Sequence, residues 1–90
     1  MSNWFVYIVE CSDGSLYTGI SNDVDARIVK HNSGKGAKYT RNKTPVTLKA
    51  RWQFENKSEA SKKEYAIKKL SRPEKMRLLI NQLPQLLGEV

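Results

Sequence analysis

Cysteine is nearly absent from this chain. A single residue, Cys11, excludes an internal disulfide and a zinc site built from cysteines. Long apolar runs are missing too, and none approaches the roughly 20 residues that a bilayer-crossing helix requires. The opening "MSNWFVYIVECS" carries neither the basic segment nor the small-residue cleavage site of a secretory leader. These absences read together as a reduced, intracellular, cytoplasmic protein without a membrane partner. No internal repeat or low-complexity stretch divides the chain. Ninety residues make one domain spanning 1–90, with an ordered core of about 3–83. A domain this small buries only about 60% of its unfolded surface.

Acidic residues are also scarce: 9, against 16 lysines and arginines, for a net charge of +7. So much positive charge on so small a surface favours a polyanionic partner, nucleic acid above all.

The order of elements follows from periodicity and turn residues. Trp4–Cys11 reads as a strand, "SDG" as a turn, and Ser15–Ser21 as the returning strand. A helix over Asp23–Ser33 is expected, capped by Ser21 or Asn22 and closed at Gly34. The loop Gly34–Pro45 carries Lys35, Lys38, Arg41 and Lys43 around one aromatic, Tyr39. "VTLKARWQFE" alternates, so Val46, Leu48, Ala50, Trp52 and Phe54 are expected on one side of a half-buried strand. A helix begins near Ser58. A last helix follows the capping-box pair Ser71 and Glu74, with Met76, Leu79, Ile80 and Leu83 as a core-facing stripe and Pro84 closing it. The result is an α+β domain, β-β-α-β-α-α, with a small three-stranded sheet flanked by helices.

The hairpin turn fixes where two tyrosines point. A two-residue loop would put Tyr7 and Tyr17 on opposite faces, since one step of register inverts a strand. A three-residue loop, Ser12-Asp13-Gly14, pairs Tyr7 with Gly19 and Val9 with Tyr17, and Gly14 supplies the positive φ such loops need. It also gathers Val6, Ile8, Leu16 and Ile20 on one face as a core. This register is therefore expected, with both phenols on the other face and Gly19 leaving room for a close approach to the backbone.

Arg27 and His31 stand four apart on the first helix, near apolar Val24, and so lean toward the sheet. Glu64 falls between Ala60 and Ile67 at the border of an apolar stripe. Each residue alone has an ordinary structural explanation; their convergence on a basic surface suggests a catalytic site.

"VYIVECSDGSLYTGIS" resembles the paired motif strands of the GIY-YIG nuclease superfamily. Phe5-Val6-Tyr7 stands at the first motif and Tyr17-Thr18-Gly19 at the second, with Phe5 replacing a glycine and Thr18 an apolar residue. Arg27 in "DVDARIVKHNSG" matches the family's arginine, and "HNSGKGAKYTR" is similar to the small bacterial single-domain branch. The resemblance implies a metal-dependent endonuclease that hydrolyses phosphodiesters in DNA in preference to RNA, in DNA repair or nucleic-acid processing. Glu64 would hold one Mg²⁺ or Mn²⁺, its other ligands being water and phosphate oxygens. Tyr17 is the first candidate to deprotonate the attacking water, Tyr7 would orient water or phosphate, and His31 is an alternative base; the sequence leaves this choice open. Arg27 would grip non-bridging oxygens. Gly19, Lys35, Lys38, Tyr39, Arg41 and Lys43 are the candidate nucleic-acid contacts. The rivals are a binding module that stacks bases on Tyr39, and an adaptor serving a protein partner that presents the substrate. Neither needs a carboxylate within a phosphate-binding surface, where it repels the ligand unless a cation intervenes.

Overall fold

The computed structural model describes the backbone of residues 3–86 and the side chains of residues 3–80. Strands β1 (Trp4–Glu10), β2 (Leu16–Ser21) and β3 (Thr47–Phe54) form one antiparallel sheet in the order β2-β1-β3. Helix α1 (Val24–Asn32) follows the hairpin, and helices α2 (Lys57–Lys68) and α3 (Arg72–Leu86) follow β3. The expected order of strands and helices is therefore the observed one, with one short 3₁₀ turn, Lys38–Thr40, added inside the basic loop.

The hairpin adopts the three-residue register. Val9 faces Tyr17 and Tyr7 faces Gly19. Gly14 has φ +85°, and the Cys11 N–H donates to the Ser15 carbonyl at 2.8 Å. Val6 and Ile8 consequently point to one face, where they meet Ala50, Ala60, Ile67 and Leu79 beneath α2 and α3. Tyr7 and Val9 point to the other, with Val24, Cys11 and Val46 beneath α1. The central strand is thus covered on both sides, as its unbroken buried run Val6–Val9 requires.

The alternation expected in β3 holds only in part. Ile8 pairs with Ala50 but Val9 pairs with Leu48, so Lys49 is an extra residue at a β-bulge. The bulge inverts the start of the strand. Val46 and Leu48 join the α1-side cluster, while Ala50, Trp52 and Phe54 stay with α2 and α3.

Local chemistry shifts the helix ends. The cap of α1 is Asp23, whose side chain accepts from the Ala26 N–H at 3.1 Å, rather than Ser21 or Asn22. Ser21 instead accepts from the Asp23 N–H at 2.9 Å and so braces the cap from outside. Asn56 caps α2. The Ser71–Glu74 capping box forms as expected, with the Ser71 N–H donating to the Glu74 carboxylate at 2.9 Å. The apolar stripe of α3 does not all reach the core. Leu79 is buried and Leu78 packs beside it, whereas Met76 is exposed and Ile80 is 67% exposed. Helix α3 offers the sheet a narrower face than its spacing suggests, and Leu83 lies outside the described side chains. Pro84 does not end the helix, which runs to Leu86.

Candidate active site

The site lies at the β2 edge of the sheet. Tyr17 and Gly19 come from β2, Tyr7 from β1, and Arg27 and His31 from one side of α1. As an edge strand, β2 lets side chains from the two helical layers meet beyond it. Helix α2 uses that opening: its Lys68 ammonium bonds Glu64 at 3.2 Å and stands 5.9 Å from the centre of the Tyr17 ring. The Glu64 charge also reaches the Tyr7 phenol and contributes to raising its pKa. The structure therefore brings Tyr7, Tyr17 and His31 together, with Arg27 on the same helix as His31 and Glu64 linked to Tyr17 through Lys68.

A buried hydrogen-bond chain runs through the centre. The Thr40 hydroxyl donates to the Ala37 carbonyl at 3.0 Å, which uses its only proton. His31 Nδ1, 2.7 Å from the same oxygen, must then carry a proton and donate it. That leaves Nε2 bare, and it accepts from the Tyr7 hydroxyl at 2.8 Å. The tautomer of the imidazole is thus set by a threonine nine residues away in the loop. Burial, assisted by the neighbouring Arg27 charge, holds His31 below its ordinary pKa, so the ring is neutral at pH 7. Burial likewise raises Tyr7, against the pull of Arg27 toward the phenolate.

Tyr7 and His31 are both wholly buried, whereas Tyr17 is only partly covered. Their rings pack edge-on, with centroids 5.9 Å apart for Tyr7–His31, 5.5 Å for Tyr17–His31 and 6.5 Å for Tyr7–Tyr17.

The expectation for Gly19 needs correcting. A Cβ there would stand 2.6 Å from the Tyr7 oxygen and 2.8 Å from its Cζ. The space that glycine leaves is filled by the protein's own phenol, and Gly19 is buried. Gly36 has the same role over His31, where a Cβ would run into the imidazole and its Cα.

The basic loop divides in two. Lys35, Lys38 and Arg41 are exposed. Tyr39, 44% exposed, and the partly buried Lys43 also make contacts within the protein. Tyr39 stacks on Tyr17 at 5.8 Å between centroids, and the Lys43 ammonium sits 3.7 Å from the centre of the Tyr39 ring. Lys43 also faces Asp13 at 3.6 Å, and its carbonyl accepts from the Ser12 N–H at 2.8 Å, docking the loop on the hairpin turn. Asn32 closes the base of the loop by bonding both the N–H and the carbonyl of Val46.

Thr40, Gly36 and Lys68 belong to this site although sequence reasoning did not single them out. The only local signal was a hydroxyl and a glycine set among lysines in "GKGAKYTR". For Lys68 it was a lysine one helical turn after Glu64.

Among the described residues no three His, Cys, Asp or Glu side chains cluster as a metal cage. Glu64 is the one acid of the group, with its side chain 21% exposed. A lone carboxylate fits a hard cation that keeps most of its waters and takes further oxygens from a phosphate.

The GIY-YIG catalytic domain family matches residues 3–77. A UPF0213 protein of Staphylococcus aureus (strain Mu50) is 57% identical over 79 residues, covering 88% of this chain and 96% of its own. The solution NMR structure of a UPF0213 protein from Bacillus halodurans is 54% identical with a TM-score of 0.60, covering 90% of this chain and 86% of that one. A solution NMR structure of an E. faecalis protein is 41% identical with a TM-score of 0.61 over the same shares of the two chains.

Proposed function

Because the chain belongs to the GIY-YIG catalytic domain family, whose class is that of nucleases, we propose that it is an endonuclease hydrolysing phosphodiester bonds in DNA with one Mg²⁺ or Mn²⁺. The observation that carries this reading is the convergence at the β2 edge: an arginine, a partly exposed phenol backed by a buried Tyr7–His31–Thr40 chain, and a single carboxylate. An arginine and a carboxylate near one phenol on a protein of charge +7 suit a phosphate held with a cation.

Burial supports a division of roles. Tyr17 is the phenol that can meet solvent, so it receives the attacking water. Tyr7 and His31 touch no solvent and act as positioning residues. Tyr7 keeps its proton at neutral pH, since burial raises its pKa, and donates it to His31 Nε2. That bond holds its ring against Gly19, with its centroid 6.5 Å from that of Tyr17. Arg27 binds the non-bridging oxygens of the scissile phosphate. Glu64 would hold the cation, which when bound supplies charge stabilisation at phosphorus and the leaving oxygen. Lys35, Lys38 and Arg41, exposed on the loop, track the strand beyond the site.

The test is a cleavage panel of labelled single-stranded, duplex and branched DNA with Mg²⁺ or Mn²⁺. Wild type is expected to cut at least one substrate. Glu64→Gln and Arg27→Ala are each expected to lose about 10²-fold or more, the usual cost of removing one charge-stabilising group. Metal-dependent binding without any cleavage, or full activity in both variants, would overturn the reading.

A further inference from the structure

A second cleft adjoins the site. It measures about 350 Å³ and is lined by Leu16, Tyr17, Thr18, Tyr39, Lys68 and Lys75. No carboxylate lines it, and its two charged residues are both lysines. Thr18 adds an independent feature. It is 3% exposed, and its hydroxyl has no hydrogen-bond partner among the described residues. Buried hydroxyls are almost always paired, so an orphan in a cleft wall marks a missing partner. A hydroxyl can donate or accept, and beside two ammonium groups the partner that suits it is an anionic oxygen accepting its proton.

We propose that this cleft binds a phosphodiester group of a nucleic-acid strand, the one adjoining the scissile phosphate. The inference rests on the nuclease reading, because the shared Tyr17 wall places the cleft directly beside the reacting position. The Thr18 hydroxyl donates to one phosphate oxygen while Lys68 and Lys75 neutralise the charge. Lys68 has three protons to give and a half-exposed side chain, so it can hold Glu64 and turn a second donor to the phosphate. The strand would then lie along the β2 edge, bound on one side by Arg27 and on the other by residues of α2 and α3. This explains a polar residue in the second motif of the hairpin, at a position that backs onto the apolar layer. Its hydroxyl is satisfied only when the strand is bound.

The experiment measures binding and cutting on the same full-length proteins. Affinity for a fluorescent single-stranded oligonucleotide is followed by anisotropy in EDTA across a salt series, and each protein is melted. Thr18→Val is expected to bind about tenfold more weakly, the scale of a hydrogen bond to a charged group. It should melt at or above the wild-type temperature, because a methyl group replaces an unpaired hydroxyl. Lys75→Gln is expected to reduce the slope of log K against log salt by about 0.7, one phosphate contact on a single strand. If both variants bind with wild-type affinity and slope, the subsite is refuted, even if the enzyme cuts. If both lose binding as stated while wild type cuts nothing with Mg²⁺ or Mn²⁺, the subsite stands and the nuclease reading falls.

Discussion

Replacing Thr40 by valine tests the buried chain most directly, since shape is kept and only the hydroxyl is removed. In the native protein that oxygen serves two bonds, donating to Ala37 at 3.0 Å and accepting from His31 at 2.7 Å. Without it, the Nδ1 proton of His31 is buried and unpaired. The ring cannot escape by moving its proton to Nε2. Nε2 would then have to donate to the Tyr7 oxygen, leaving the Tyr7 proton without an acceptor and Nδ1 bare. Either arrangement leaves at least one buried polar group unsatisfied, at a cost of about 2 kcal/mol. In a domain of this size that lowers the melting temperature by on the order of 10 °C. Thr40→Ser keeps the hydroxyl and should recover most of the loss. The direct readout is the nitrogen NMR signature of the His31 ring: protonated Nδ1 and bare Nε2 in wild type and in the serine variant, and loss of that pattern in the valine variant. Wild type with its proton on Nε2, or a valine variant as stable as wild type, would refute the reasoning.

Gly19→Ala would drive a methyl into the Tyr7 phenol, whose oxygen lies 2.6 Å from the Cβ position. The ring must move and the bond to His31 breaks, so a loss of about 1–3 kcal/mol by denaturant titration is expected, together with loss of cleavage. pH acts on the same pair. The folded-state pKa of His31 lies below its ordinary 6.5, so the unfolded chain takes up a proton first as pH falls. Stability should therefore decline below about pH 6.5 and level off beneath the folded pKa, and His31→Gln should lack this component. The raised Tyr7 pKa acts at the other end. The unfolded chain ionises near 10.0 while the folded chain holds its proton, so stability should fall above that pH, and Tyr7→Phe should remove that decline. Tyr17→Phe should abolish cutting with little change in melting temperature, since the phenol oxygen of Tyr17 makes no hydrogen bond among the described residues; a variant that cuts normally would move the role to another group.

Much of the fold was legible because it depends on neighbours in sequence. The "SDG" turn requires a residue at positive φ, and Gly14 provides it, which sets the register and brings Tyr7 and Tyr17 to one face. The Ser71–Glu74 box, only four residues long, was legible in the same way. The errors arose where a distant partner decides. The β3 bulge at Lys49 is invisible in the alternation of "VTLKARW", because the need to place Val46 and Leu48 against the α1 layer exists only once α1 is there. Met76 and Ile80 have core spacing, but α3 meets too little of the sheet to bury them.

For the site, the sequence by itself determined the types of chemistry available: two phenols on one hairpin face, an arginine and a histidine one turn apart, one carboxylate, and a surplus of positive charge. Side-chain period, turn residues and composition are local properties, so a chain carries them before it folds. Only the tertiary structure decided which of these groups are within reach of a ligand. It sealed Tyr7 and His31 in the interior, left Tyr17 only partly covered, brought Tyr39 against Tyr17 and Lys43, and set Lys68 between Glu64 and the Tyr17 ring. Those outcomes follow from how layers pack across long sequence separations, where burial and charge depend on every neighbour at once.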